Sequence, residues 1–211
     1  MIKITNIDAA GIEPALRGMR NPMNSWNNAD SFWGDEVFHL GENDNQLATK
    51  LASAGPVHGK YLRMITVWMD ISAPLYWWKE FDTYKVGTVA NSCSTMHKLH
   101  AEPLTPEDFS IETLDDEYRG AFMAYLELIN AARENYLKTR KKTDWYKMIQ
   151  MLPSSYNQTR TIATNYETLA NIYHYRKNHK LNEWIGFCKM IERLPAFHLI
   201  EARANYENSK E

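Results

Sequence analysis

The clearest hydrophobic pattern of the chain lies between Tyr61 and Ile71. Apolar residues occupy the odd positions from 65 onward, namely Ile65, Val67, Met69 and Ile71. The even positions hold a mixed set, namely Met64, Thr66, Trp68 and Asp70. Because one of the two alternating sets is wholly apolar, the pattern predicts a β-strand that buries one face. Ala73-Pro74 should end this strand, and Pro74 is well placed to begin a helix that includes Leu75 and Trp78.

Helical periodicity dominates the rest of the chain. Between 114 and 138, apolar residues recur at helical spacing with charged residues between them, namely Phe122, Tyr125, Leu126, Ile129 and Tyr136. Comparable patterns predict helices at 13–20, 43–54, 144–151, 161–175 and 182–193. Residues 1–8 suit a short edge strand, and residues 21–28, rich in Asn, predict a loop. We therefore expect an α+β protein with a single domain over residues 1–211.

The composition excludes several classes of protein. The 211 residues include 24 Lys or Arg and 26 Asp or Glu, so the chain lacks the basic excess of a general nucleic-acid binder. Cys93 and Cys188 are the two cysteines and lie far apart, which excludes a disulfide framework and a Cys-rich zinc module. The first residues lack the apolar core of a signal peptide, and no long uncharged apolar stretch occurs. We expect a soluble, cytoplasmic protein without a metal and without nucleic-acid or membrane partners.

The common phosphate-binding fingerprints are also missing. Neither Gly-x-Gly-x-x-Gly nor Gly-x-x-x-x-Gly-Lys-Ser/Thr occurs, and the chain has only 9 glycines. These motifs use glycine to let the backbone approach phosphate closely. His-Glu-x-x-His, a zinc-hydrolase motif, is absent as well. Function must therefore be sought in less common patterns.

Three blocks of sequence carry such a pattern. The first begins at Ala73-Pro74-Leu75-Tyr76 and continues through Glu80-Phe81, Thr83-Tyr84-Lys85, Thr88, Asn91, Cys93 and Thr95. The second comprises Leu152-Pro153, Asn165-x-x-x-Leu169, Asn171 and Tyr175-Arg176, and the third is His58. With these blocks the chain resembles the flavin-dependent thymidylate synthases over most of its length. Members of that family carry Ala-Pro, Arg-His-Arg, Leu-Pro, Asn-Ala-Arg-Ser-Leu and Leu-Arg at this spacing.

The resemblance implies a fold, an activity and a set of site residues. The fold is a small antiparallel sheet packed with a helical bundle. The activity is methylation of dUMP at C5 with methylenetetrahydrofolate, FAD and NADPH, in a homotetramer. The implied cofactor-binding residues are Thr83, Tyr84, Lys85, Thr88, Asn165 and Asn171. The implied substrate-binding residues are Arg176, Glu80, Thr95 and Asn91, and the catalytic candidates are His58 and Cys93.

The chain departs from the family mainly at its cations. The Arg-His-Arg triplet is Thr83-Tyr84-Lys85 here, and Glu167 replaces the arginine of Asn-Ala-Arg-Ser. In the family these arginines hold phosphate groups, a task that suits the planar fork of a guanidinium. Since a charged hydrogen bond contributes about 1.5–3 kcal/mol, the losses predict weakened FAD binding.

Cys93 offers an alternative chemistry. It takes the place of a family serine that lies against the pyrimidine ring, and a thiolate there could attack C6 and activate C5. On a helix, Cys93, His97 and His100 would share one face, and an adjacent imidazolium would favour the thiolate. This interpretation predicts a flavin-independent C5 modification such as hydroxymethylation. The other interpretations are that Cys93 is a small buried residue, or that the protein binds a nucleotide or a protein partner without catalysis.

Overall fold

The strand predicted near residue 65 runs from Thr66 to Pro74 (β4) in the computed structural model, which describes residues 2–208. Ile65, Val67, Met69 and Ile71 are fully buried, as the alternation predicts, while Trp68 on the opposite face is exposed. A helix follows directly at Leu75–Phe81 (α3), with Pro74 as its N-cap. The pattern of residues 61–81 therefore predicted both the strand and its junction with the helix.

Strands and helices are interspersed along the rest of the chain. The other strands are β1 Lys3–Ala10, β2 Phe32–Gly34, β3 Val37–His39, β5 Val89–Ser92 and β6 Asn157–Asn165. The other helices are α1 Ile12–Met19, α2 Glu42–Ser53, α4 Thr95–Lys98, α5 Asp116–Thr139, α6 Lys142–Gln150, α7 Tyr166–Arg176, α8 Asn182–Ile191 and α9 Phe197–Asn208. This mixture of helices with a small antiparallel sheet confirms the predicted α+β class. Within residues 2–208, no helix combines the length and the apolar character needed to cross a membrane.

The strands form two sheets. The larger sheet has the order β1-β4-β6-β5, so β1 lies at an edge as predicted. The smaller sheet is the antiparallel hairpin of β2 and β3, in which Trp33 pairs with Phe38. The pattern of residues 21–60 did not reveal this hairpin, because each of its strands has only three residues.

The helix predicted at 161–175 is wrong in its first part. Residues 157–165 form β6, and the helix α7 begins only at Tyr166. Thr159, Thr161 and Thr164 are β-branched and favour a strand, and Ile162 and Thr164 are both buried. Asn165 then caps the helix, because its side chain accepts a hydrogen bond from the backbone N–H of Thr168.

The chain divides into two compact units. The first comprises residues 1–3, 70–83 and 91–161, and the second comprises residues 4–69, 84–90 and 162–211. Four of the five boundaries fall within strands, namely β1, β4, β5 and β6, and the boundary after residue 83 follows α3, so neither unit is one continuous segment of the sequence. The single domain expected over residues 1–211 stays a prediction.

The first unit has its core around α5 and α6. Its buried cluster consists of Leu99, Leu104, Phe109, Ile111, Leu126, Ile129 and Met148. The rings of α3 are buried in the same unit: Trp77 stacks on Phe81 with centroids 5.1 Å apart, and Trp78 meets Trp77 edge-on at 4.9 Å. The aromatic run of α3 is therefore packing, as such a run after a strand usually is.

The second unit contains a buried ion pair near its N-terminal helix. Arg20 Nε donates to Asp44 Oδ1 at 2.6 Å, and the backbone N–H groups of Asp30 and Ser31 donate to Asp44 Oδ2. Both side chains of the pair are almost fully buried. The pair fixes the segment before the β2–β3 hairpin against α2.

We expect this ion pair to make stability depend on acid. Burial raises the pKa of Asp44, but hydrogen bonds from Ser31, Arg20 and Asp30 outweigh it and hold the pKa below its ordinary value. The stabilisation is therefore present above the ordinary carboxyl pKa of about 3.9 and is lost as the pH falls through the lower folded-state pKa. Urea unfolding at several acid pH values should show this loss. The same series on Asp44→Asn should show a flatter dependence, whereas an unchanged slope would contradict the assignment.

Candidate functional site

Two of the predicted blocks come together in the second unit. Thr88 Oγ1 lies 3.2 Å from Thr164 Oγ1, and Thr168 Oγ1 donates to the carbonyl of Val86 at 2.9 Å. Gly87 has φ of 77° and its carbonyl accepts from Asn165 Nδ2 at 3.5 Å. A Cβ on Gly87 would lie 2.4 Å from that same nitrogen, so a glycine is required. The segment 84–88 is therefore held against the start of α7.

Arg176, at the other end of α7, is held by the same segment. Its Nε donates to Tyr84 Oη at 2.8 Å, and its Nη1 lies 3.0 Å from His179 Nε2. The guanidinium carbon lies 4.8 Å from the ring centre of Trp184 and 5.6 Å from that of Tyr84. We call Tyr84, Arg176, His179 and Trp184 the Arg176 cluster. These contacts with aromatic rings and hydrogen-bonding groups hold a half-buried cation in one orientation, which suits the binding of an anionic or carbonyl oxygen.

The expected cofactor-binding residues do not fit the pyrophosphate of FAD. Thr88, Asn165 and Tyr84 use polar atoms in the contacts described above, and Thr83 Oγ1 donates to the carbonyl of Glu80 at 2.7 Å. Lys85 is exposed and is the only cation among the six expected residues, while Asn171 is an exposed residue of α7. A pyrophosphate carries a negative charge on each phosphate, and one exposed lysine offers little to balance both.

Four other expected residues lie in the first unit. Asn91 belongs to β5, Cys93 follows that strand, and Thr95 begins α4. Glu80 belongs to α3. The carbonyl of Cys93 accepts from Gln158 Nε2 at 2.8 Å, and its N–H donates to Thr159 at 2.9 Å. The bond from the Cys93 N–H continues the pairing of β5 with β6, and the bond from the Gln158 side chain also helps to fix the backbone of Cys93.

The proposed helical arrangement of Cys93 with His97 and His100 is wrong. Cys93 lies before α4, whose N-cap is Ser94, so helical spacing from Cys93 does not apply. His100 follows α4, and its ring packs edge-on against Tyr136 at 5.2 Å. Within residues 2–208, no three His, Cys, Asp or Glu side chains are arranged to hold a metal ion.

Cys93 is exposed and lines a cavity of about 280 Å³ together with Lys98 and Tyr156. Cys188, in contrast, is 2% exposed within α8. Burial, followed by the nearby Glu192 carboxylate, raises the pKa of the Cys188 thiol to about 12. Exposure therefore separates the two thiols, and the interpretation of Cys93 as a buried residue is wrong.

We expect one thiol of the native protein to react quickly with a thiol reagent. Cys93 should react because it is exposed, while Cys188 should react only on unfolding, because it is buried and fully protonated. Titration with a chromogenic disulfide should give one fast equivalent in the wild type and none in Cys93→Ser. A second fast equivalent, retained in Cys93→Ser, would contradict the burial of Cys188.

His58 lies apart from the Arg176 cluster. It is exposed on the wall of a larger cavity of about 640 Å³ in the second unit, lined mainly by apolar side chains such as Met19, Leu51 and Met64. In the described part of the chain, His58 makes no hydrogen bond or ring contact with the cluster. His58 thus stays a catalytic candidate without a described partner.

The sequence did not indicate two residues of the Arg176 cluster as site residues. Trp184 lies in an apolar helix, a position typical of a core residue, and it is indeed fully buried. His179 stands in the basic run Arg176-Lys177-Asn178-His179-Lys180, which also fits a solvated helix end. The only available signal was the proximity of His179 to Arg176 along the chain.

Solved structures with the same fold were found at low sequence identity. Thymidylate synthase X from Helicobacter pylori, in a structure with FAD and dUMP, is 16% identical with a TM-score of 0.72, over 97% of this chain and 99% of that chain. The UMP/dUMP methylase PolB from Streptomyces cacaoi, bound with 5-Br dUMP, is 12% identical with a TM-score of 0.62, over 99% of this chain and 95% of that chain. No family model and no curated protein matches the sequence. The chain therefore has the flavin-dependent thymidylate synthase fold.

Proposed function

We propose that this protein is a pyrimidine nucleotide-modifying enzyme that acts at C5 of dUMP or a closely related nucleoside monophosphate. The observation that carries the proposal is the contact of Tyr84 with Arg176, two residues from separate blocks of the resemblance, 92 positions apart. Both residues correspond to positions that the family uses for its ligands. The neighbours in structure, thymidylate synthase X with dUMP and the UMP/dUMP methylase PolB, support the same class of substrate.

Arg176 would recognise the nucleotide in this proposal. A guanidinium donates two parallel hydrogen bonds, which suits a uracil carbonyl or a phosphate oxygen. The rings of Tyr84 and Trp184 hold the cation before the ligand arrives, so little side-chain freedom is lost on binding. Arg176 therefore supplies orientation and affinity, which a C5 reaction requires before any bond changes.

C5 methylation with methylenetetrahydrofolate, FAD and NADPH is the form of the activity that the resemblance implies. The carbon of methylenetetrahydrofolate is at the oxidation level of formaldehyde, so a methyl product requires two further electrons, which a reduced flavin supplies when bound. Because the expected cofactor residues do not fit the FAD pyrophosphate, we derive no step through the flavin. Flavin binding is the point at which this chain departs most from the resemblance.

Release of the C5 hydrogen tests the proposed activity in all its forms. Purified protein would be incubated with dUMP tritiated at C5, methylenetetrahydrofolate, FAD and NADPH, and tritium in water would be measured. We expect release in the wild type and a loss of release in Arg176→Gln. Release that is absent from the wild type, with dUMP bound, would contradict a C5-modifying enzyme and favour a nucleotide-binding protein.

An absorbance spectrum tests the flavin separately. The protein would be scanned through the flavin bands before and after addition of FAD, and again after dUMP. A bound flavin whose bands shift with dUMP supports methylation by the cofactor set of the resemblance. A protein that leaves the FAD spectrum unchanged contradicts that form and leaves a flavin-independent reaction.

A flavin-independent reaction through Cys93 is the second candidate function. Cys93 is exposed in a polar cavity, and its backbone is fixed by hydrogen bonds to β6. In this form the Cys93 sulfur bonds to C6, and the electron pair of the C5=C6 bond moves toward C5 and the C4 carbonyl. C5 then bonds to the methylene carbon of methylenetetrahydrofolate and loses its proton, and tetrahydrofolate leaves, which gives an exocyclic methylene at C5. Water adds to this methylene, and the Cys93 sulfur leaves C6 as the C5=C6 bond re-forms, so the product carries a hydroxymethyl group without any redox change.

Substitution of Cys93 separates the two candidates. If the sulfur is the nucleophile, Cys93→Ala and Cys93→Ser should both abolish tritium release while dUMP still binds. If the reaction depends on a flavin, both variants should retain release. Cys188→Ala is not a useful control, since that side chain is part of the core; Ser92→Ala changes an exposed neighbour instead.

We further propose the homotetramer that the resemblance implies. Light scattering coupled to size exclusion measures the assembly directly, with and without dUMP. A mass four times that of the chain supports the proposal, and a monomer contradicts it.

A further inference from the structure

Tyr84 precedes a tight turn that has few buried residues. The N–H of Thr88 donates to the carbonyl of Lys85 at 3.3 Å, which closes the turn. Gly87 is the third residue of the turn, and its φ of 77° is the conformation for which a type II turn favours glycine. Lys85, Val86 and Gly87 are exposed, so the turn has little packing of its own. The position of the turn, and with it that of Tyr84, therefore depends on contacts with another element.

The first turn of the helix α7 supplies those contacts. Thr168 Oγ1 donates to the carbonyl of Val86 at 2.9 Å, and Asn165 Nδ2 makes a longer contact with the carbonyl of Gly87 at 3.5 Å. Thr168 is only 8% exposed, so water competes little for its hydrogen bond. A Cβ on Gly87 would lie 2.4 Å from Asn165 Nδ2 and 3.0 Å from Thr168 Oγ1, so the turn approaches the helix very closely. We call Gly87, Asn165 and Thr168 the turn clamp.

The turn clamp uses side chains for which the resemblance implies another role or none. Asn165 is one of the implied cofactor-binding residues, but its Oδ1 accepts from the Thr168 N–H at 3.0 Å and its Nδ2 contacts Gly87. Both polar ends of this side chain thus serve the protein itself. Neither Thr168 nor Gly87 is among the implied site residues.

Tyr84 links the turn clamp to Arg176, which lies eight residues beyond Thr168 and hence about 12 Å along α7. The Tyr84 hydroxyl accepts from Arg176 Nε at 2.8 Å, and its ring lies edge-on to that of Trp184 at 6.0 Å. A displacement of Tyr84 would remove both the acceptor of Arg176 Nε and one of the two rings beside the guanidinium. The orientation of Arg176 thus depends on a contact that Thr168 makes at the opposite end of the same helix.

We propose that Thr168 is a positioning residue for the nucleotide site, which acts on Arg176 through the turn and Tyr84. Gly87 has the same role, because a larger residue does not fit this turn against the helix. The identity of the ligand as a pyrimidine nucleotide rests on the proposed function, whereas the effect of Thr168 on Arg176 does not. Thr168 itself touches no ligand, so removal of its hydroxyl should change dUMP affinity only by way of Tyr84.

A double-mutant cycle of Thr168→Val with Tyr84→Ala tests this route. Thr168→Val keeps the shape of the side chain and removes its hydroxyl, while Tyr84→Ala removes the link to Arg176. The affinity for dUMP would be measured by calorimetry for the wild type, each single variant and the double variant. We expect Thr168→Val to weaken binding by about 3- to 10-fold, as loss of a hydrogen bond does. The double variant should bind no more weakly than Tyr84→Ala alone, because the route is already cut.

The Nε–H signal of Arg176 in a ¹⁵N NMR spectrum reports its orientation without any ligand. Thr168→Val should shift this signal toward its position in Tyr84→Ala, while Thr168→Ser, which keeps the hydroxyl, should retain both the wild-type signal and the dUMP affinity. Gly87→Ala disturbs the clamp from the exposed turn and should give the same shift, so the test does not depend on the folding of Thr168→Val. Thr143→Val removes an exposed hydroxyl of α6 and should change neither measurement.

The outcomes separate this inference from the proposed function. A shifted Arg176 signal in Thr168→Val, in a protein that binds no dUMP, would support the positioning role and contradict the proposed substrate. An unchanged Arg176 signal, or losses of dUMP affinity that add in the double variant, would overturn the positioning role and leave the proposed function standing. A Thr168→Ser variant that behaves like Thr168→Val would also overturn it, because the hydroxyl would then not be the group that acts.

Discussion

Replacement of Arg176 by Gln should weaken dUMP binding by about 10- to 150-fold. The loss corresponds to about 1.5–3 kcal/mol, the contribution of a hydrogen bond to a charged group. Gln cannot reproduce the fork of the guanidinium, and it leaves the rings of Tyr84 and Trp184 without the cation they hold. Calorimetric titration of dUMP into the wild type and the variant measures the change.

Two further variants show whether the loss is specific. Arg176→Lys retains the charge without the planar fork and should lie between the wild type and Arg176→Gln. Arg193→Gln removes an exposed arginine beyond α8 and should bind dUMP normally. Equal affinity in Arg176→Gln and Arg193→Gln would remove Arg176 from the proposed site.

Replacement of Glu167 by Arg should lower the free energy of unfolding by about 3–5 kcal/mol, as breaking a buried ion pair does. Glu167 Oε1 lies 2.9 Å from Arg203 Nη2, and the two side chains are 15% and 8% exposed. The variant restores the residue type that the resemblance would place at 167, but it sets a second cation against Arg203. Chemical denaturation followed by tryptophan fluorescence gives the change in stability.

The controls for this prediction separate charge reversal from loss of the ion pair. Glu167→Gln keeps a hydrogen-bond acceptor for Arg203 and should cost less than Glu167→Arg. Glu127→Arg reverses an exposed charge on α5 and should change stability by no more than about 0.5 kcal/mol. If Glu167→Arg is as stable as the wild type, the pair with Arg203 does not explain the change of residue at 167.

The sequence predicted best where a periodic pattern extended over many residues and one face was buried. The odd positions of β4 are all apolar, so the strand was evident, and Asp116–Thr139 formed as the long helix expected there. The Ala-Pro junction also indicated where β4 ends and α3 begins. In each case the local residue pattern and the burial of one face favour the same element.

Prediction failed where tertiary contacts decide between two local possibilities. The helix predicted at 161–175 included residues 161–165, but the place of this segment between β4 and β5 in the sheet makes it part of the strand β6. Cys93 has helical spacing to His97, yet its pairing with β6 keeps it outside the helix. The periodicity of a single segment carries no information about its pairing with other strands.

The charge of Glu167 shows a related limit for the candidate site. From the sequence alone, Glu167 indicates the loss of a phosphate-binding arginine, since the family carries Arg at that position. In the structure it is the partner of Arg203, which stands 36 residues later in α9. The sign of the charge at 167 thus suits a partner from a distant part of the chain, which the residues around 167 do not reveal.

Calorimetric titration of the wild-type protein with dUMP, with dGMP as the matched control, measures whether the protein has a site for pyrimidine nucleotides. Both ligands carry the same phosphate and deoxyribose and differ in the base. We expect saturable binding of dUMP and much weaker binding of dGMP. Equal binding of the two ligands, or binding of neither, would contradict a site for pyrimidine nucleotides on this fold.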